Sequence, residues 1–150
     1  ESNHPVDYMT GQTSFNGETI KGYYQTMIEA GSLDVYWQTQ FIDFGFIAGL
    51  FLMGLFAGTL IARFVKEGGW ARRLALLAGG SIMLGAISDA MENLISFVML
   101  ANPANFMNWI ALPYSAFAVI KFTLIALGMF GLIAAVLLLV IEKIRGRMIA

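Results

Sequence analysis

The sequence predicts an all-α integral membrane protein, a bundle of three transmembrane helices with one short amphipathic helix outside the membrane. Three observations carry that prediction. The 150 residues are 58% hydrophobic and 13% charged, too few charges to cover a soluble domain of this length. Three apolar runs, from about Phe41 to Phe64, Leu74 to Leu100 and Tyr114 to Ile141, each reach the roughly 20 helical residues that cross a bilayer core. The linkers between them are short, as in an up-down bundle whose helices satisfy their own backbone hydrogen bonds inside lipid.

Residues 1–38 are expected to form an outer segment and residues 39–150 the transmembrane domain. The opening "ESNHPVDYMTGQTSF" has no periodicity, which predicts an extended segment or one held by other chains. In "NGETIKGYYQTMIEAGS", Ile20, Tyr23, Tyr24, Met27 and Ile28 recur at spacings of three and four. Asn16 suits the start and Gly31 the end, so an amphipathic helix is expected over about 17–30. Its apolar side would cover the bundle or dock a partner.

The first transmembrane helix carries "GFIAG" and "GLFAG", placing Gly45, Gly49, Gly54 and Gly58 at the spacing that lets backbones approach. The third helix repeats the feature with Gly128, Gly131 and Ala135. Contact within the bundle and a homodimer seam both fit.

In the second helix, "GAISDAMENLISF" breaks an apolar run with Asp89, Glu92 and Asn93. Spacings of three and four put these residues on one side of the helix, with Ser81, Gly85, Ser88 and Ser96. Counting about 1.5 Å per residue from the basic anchors Arg63, Arg73 and Lys143 places Asp43, Asp89, Glu92 and Lys121 roughly 24–33 Å up, all in one leaflet. Lys121 is the natural cationic partner, and Asp43 is placed to join. Such a cluster fits a salt-bridge network that fixes helix register. It also fits a proton or ion relay, or a pocket for a lipid or quinone headgroup.

Orientation follows from the basic residues. Arg63, Lys66, Arg72 and Arg73 surround the first connection and Lys143, Arg145 and Arg147 follow the third segment, whereas "ANPANFMNWIALP" has no charge. The first connection and the C-terminus are therefore expected in the cytoplasm and the N-terminus outside. Tyr36, Trp37, Trp109 and Tyr114 would mark the outer interface and Trp70 the inner one. An outer N-terminal segment beginning at Glu1 implies a removed signal peptide or a further N-terminal helix outside this sequence.

Several chemistries find no support in the residues. There is no cysteine, and His4 is the one histidine, so thiolate and His-rich metal sites cannot be assembled. Net charge is −1 and no basic run points to nucleic acid. No nucleophile–base pair or phosphate loop appears, so no catalytic, cofactor-binding or metal residues are assigned and an enzyme is not expected.

Gly31, Tyr36 and Asp43, the D-x-x-E-N element Asp89–Glu92–Asn93, and Lys121 early in the last helix resemble a group of small, uncharacterised bacterial four-helix integral membrane proteins. The resemblance implies a first helix preceding this sequence and the bacterial inner membrane as its place. It implies no activity. The sequence departs from the group in lacking a proline after Asp43. The leading functional expectation is a non-catalytic subunit that packs into or stabilises a larger membrane complex, in contact with the bilayer and other membrane subunits. The alternative is a small binding or transport module whose outer-leaflet Asp, Glu and Lys residues hold a lipid, quinone or cation.

Overall fold

A computed structural model describes residues 4–149, with side chains through Arg145. Helices make up 84% of the described residues, and no strand occurs among them. Helices α1 (Tyr8–Gln12), α2 (Gly17–Glu29), α3 (Leu33–Phe64), α4 (Trp70–Leu100) and α5 (Ala111–Ile149) follow in order, with a single 3-10 turn at Asn108–Ile110. Three of them, α3, α4 and α5, are long and apolar enough to span a membrane. At 32, 31 and 39 residues they exceed the apolar runs read from the sequence.

The extra length has local causes. Gly31 takes a left-handed φ of 65° and closes α2, and Tyr36 N–H already donates to Ser32 O, so α3 begins within polar sequence. Gly68, at φ 76°, turns the chain before α4. Pro113 sits in the first turn of α5, where its missing N–H leaves no helical bond unmade. Hydropathy marks where lipid is expected, whereas helix geometry continues to the next residue that can reverse the chain.

The N-terminal residues differ from the extended expectation. Asp7 caps α1, accepting from Thr10 N at 2.9 Å and from Thr10 Oγ1 at 2.7 Å. These residues are held by their own chain: the His4 ring lies 5.6 Å from Tyr36 and 5.4 Å from Tyr23, and Phe15 N–H donates to Ser115 Oγ at 3.0 Å. In α2, Asn16 Oδ1 accepts from Thr19 N, and Ile20, Tyr24 and Met27 are buried while Ile28 stays exposed.

The chain forms two compact units. The first comprises residues 1–47 and 87–121, the second residues 48–86 and 122–150. The first unit has an aromatic and aliphatic core of Ile20, Tyr24, Met27, Tyr36, Met99, Leu100, Phe106 and Tyr114. Here α2 is fastened to the 3-10 turn. Glu18 Oε1 accepts from Asn108 Nδ2 at 2.7 Å and Lys21 Nζ donates to Asn108 Oδ1 at 2.7 Å.

The second unit packs through small residues. Its core is Ala62, Ala75, Ala78, Ile82 and Ala135, the composition that lets lipid-bathed helices approach closely. A Cβ on Gly54 would lie 2.7 Å from Gly79 O, and one on Gly58 would lie 2.9 Å from Ala75 O. On α5, a Cβ on Gly128 would strike Ile82 and one on Gly131 would lie 2.8 Å from Ala78 Cβ. Gly45 and Gly49 differ: nothing lies within 4 Å of a Cβ at either, so the chain makes no close helix contact there. They lie on an exposed side of α3, beside the exposed Phe46 and Ala48.

Candidate functional site

Every buried polar or charged side chain among the described residues belongs to the first unit. On α4 these are Ser88, Asp89, Glu92, Asn93 and Ser96, whose spacings of one and three keep them on one helix side. On α3, Tyr36, Gln40 and Asp43 share a side by spacings of four and three. The same spacing on α5 aligns Tyr114, Ala118 and Lys121, with Ser115 adjacent.

Lys121 joins two carboxylates. Its Nζ donates to Asp89 Oδ1 at 2.7 Å and is in ion-pair contact with Glu92 Oε2. Asp89, Glu92 and Lys121 are 4%, 0% and 5% exposed, so little water reaches the pairs. Asn93 Nδ2 donates to Asp43 Oδ2 at 2.8 Å, which brings the half-buried Asp43 from α3 to the same side of α4. Asp43, Asp89, Glu92, Asn93 and Lys121 are thus gathered in one unit. Of the remaining stripe, Ser81 Oγ donates to Leu124 O at 2.7 Å within the second unit.

Three tyrosines stand beside this cluster. Tyr24, Tyr36 and Tyr114 are buried, and each phenol lies close enough to feel the charge of Glu92. The rings of Tyr24 and Tyr36 are 6.0 Å apart. Burial pushes the Tyr24 phenol, on α2, well above its ordinary value and keeps it neutral. Gln40 Oε1 and Glu92 Oε1 are buried without a hydrogen-bond partner, whereas the Tyr24 and Tyr36 phenols stand at hydrogen-bonding reach of Ser96. Orphaned polar atoms are costly inside a protein, and with the hydroxyl layer next to Glu92 they make this interior polar by composition.

Tyr36 and Tyr114 therefore do not act as the interface markers expected from the sequence: both point inward, while Trp37, Trp70 and Trp109 are exposed. Gln40, Tyr24 and Ser115 were not anticipated. A signal was present for Gln40, which lies three residues from Asp43 on the charged side of α3, whereas Ser115, six residues from Lys121, is about 120° round the helix from it. Tyr24 is brought in by the fold of α2 alone.

Among the described residues, no three Asp, Glu or His side chains converge as metal ligands. The arrangement can exchange protons between carboxylates and hydroxyls, and it holds more formal negative than positive charge. No family model, curated protein or solved structure matches the chain.

Proposed function

We propose that this protein is a small membrane-embedded proton-binding module, in which the cluster of Asp43, Asp89, Glu92 and Lys121 takes up and releases a proton. Glu92 carries the reading. It is fully buried, its Oε1 meets no donor, and it shares Lys121 with Asp89. Two carboxylates share one lysine and Asp43 lies near enough to add its charge, which leaves excess negative charge in a poorly hydrated interior, where ionisable side chains are expensive and commonly mark ion or proton sites. Among the described residues no three Asp, Glu or His side chains converge as a metal site, and a proton is the cation that a single carboxylate oxygen can hold. In this reading α3, α4 and α5 cross the bacterial inner membrane, with the N-terminus outside and the basic C-terminus in the cytoplasm.

Infrared difference spectra of the protein in lipid nanodiscs, taken across a pH titration, test the proposal. A carboxylic C=O band should grow as pH falls and be missing in Glu92→Gln. The absence of any titrating carboxyl band in the native protein would reject the reading.

A second reading, a subunit of a larger membrane assembly, is favoured by Gly45 and Gly49. They leave a small-residue stripe open on α3 beside the exposed Phe41, Ile42 and Phe46. Purification from native membranes should then retain a neighbouring membrane protein, lost on Gly49→Leu. A stable monomer with no retained neighbour argues against it.

A further inference from the structure

We propose that the hydroxyl layer of Tyr24, Tyr36, Ser96 and Tyr114 is the route by which protons reach Glu92, and that it opens only toward residues 4–30. The proposal rests on the proton-binding reading and adds the path and its side.

The first argument is the order of polar side chains along the helices. From Asp43 through Gln40 to Tyr36, from Asp89 through Glu92 to Ser96, and from Lys121 to Tyr114, each helix runs seven residues, about 10 Å of rise. All three progress from charged groups to hydroxyl groups in that distance. Tyr24 of α2 completes the layer, within the cluster that holds Tyr36 and Tyr114.

The second is chemical. A hydroxyl both donates and accepts, so it takes a proton on a lone pair while releasing its own, and it ends neutral. The net change is one proton gained by a Glu92 carboxylate oxygen, with no oxidant or co-reactant required. The Tyr24 and Tyr36 phenols both stand at hydrogen-bonding reach of Ser96, and Tyr36 at reach of Tyr114, so the hydroxyls form a connected layer, while Glu92 Oε1 has no donor of its own.

The third is the way out. The Tyr36 ring lies 5.6 Å from the half-buried His4 and 6.4 Å from the exposed Tyr8, so the layer ends beside groups in contact with water. Taken by itself, the second unit holds no buried polar side chain among the described residues, and the hydroxyls of the half-buried Ser81 and Thr59 donate to Leu124 O and Leu55 O. With their hydroxyls committed to helix carbonyls, these two side chains do not continue the layer. The charged and titratable groups that face Glu92 are Asp89 on α4, Lys121 and Tyr114 on α5, Asp43 and Tyr36 on α3, and Tyr24 on α2.

The test uses the full chain in lipid vesicles of one orientation, with time-resolved infrared detection of the carboxyl band assigned through Glu92→Gln. A pH jump on the face bearing residues 4–30 should produce the band, and a jump on the other face should not. Ser96→Ala and Tyr36→Phe should slow its appearance by roughly tenfold or more while leaving the final amplitude unchanged. Ser96→Thr, which keeps a hydroxyl, should restore the rate and guards against a folding defect. Uptake from the opposite face would overturn the route. So would native rates in Ser96→Ala, Tyr36→Phe and Tyr24→Phe together. A native protein with no titrating band would instead overturn the proton-binding reading itself.

Discussion

Replacing Lys121 with methionine removes one positive charge and keeps most of the side-chain length. Lys121 Nζ lies 2.7 Å from Asp89 Oδ1, a separation at which unit charges attract by about 6 kcal/mol at an effective dielectric of roughly 20. Burying the ions costs several kcal/mol each, about as much as they gain, so the intact cluster contributes little net stability. Its disruption is another matter. Lys121→Met strands Asp89 and Glu92 together in the interior and should destabilise the fold by about 3–5 kcal/mol. Adding Glu92→Gln to Lys121→Met removes one stranded charge and should recover about 1–3 kcal/mol, a coupling typical of residues in one network. Reversible unfolding in mixed micelles, followed by circular dichroism, measures both variants. The reasoning is refuted if Lys121→Met lies within about 0.5 kcal/mol of the native protein, or if the added Glu92→Gln brings no recovery.

Two further outcomes follow from the same geometry. Gly54→Ala drives a methyl toward Gly79 O and should lower stability by about 1–3 kcal/mol, whereas Gly49→Ala, in open space, should be neutral or gain up to about 1 kcal/mol from helix propensity. The same micelle unfolding assay separates them, and equal effects would argue against the helix contact at Gly54. The hydrogen bond from Asn108, followed by Lys21, holds the Glu18 carboxyl below its ordinary value of 4.5. Because the folded value is depressed, the stabilisation is present above that ordinary value and is lost as pH falls through the lower one. Amide exchange in α2 should therefore accelerate on acidification through that range, and Asn108→Ala should flatten the response.

The polar side of α4 could be read without a structure because spacings of three and four are properties of one helix. Lys121 was the natural partner because no other lysine or arginine falls at that depth of the three apolar segments. Gln40 carried the same periodic signal on its helix, but Tyr36 and Tyr114 also suit a membrane interface, and residue type alone does not separate the two roles. The glycine pattern shows the limit again. Gly45, Gly49, Gly54 and Gly58 look alike in sequence, yet only Gly54 and Gly58 meet another helix backbone.

The sequence by itself determined the helical class, the three membrane-length segments and the grouping of Asp89, Glu92 and Asn93, since each depends on local hydropathy or on one helical period. Only the tertiary structure decided that Lys121 is shared by two carboxylates, that Asp43 bonds Asn93, and that Tyr24 from α2 joins Tyr36 and Tyr114 beside them. The physical reason is rotation. Contacts across helices depend on how each helix is turned about its axis, and that is set by the packing of all of them together rather than by any one stretch of residues.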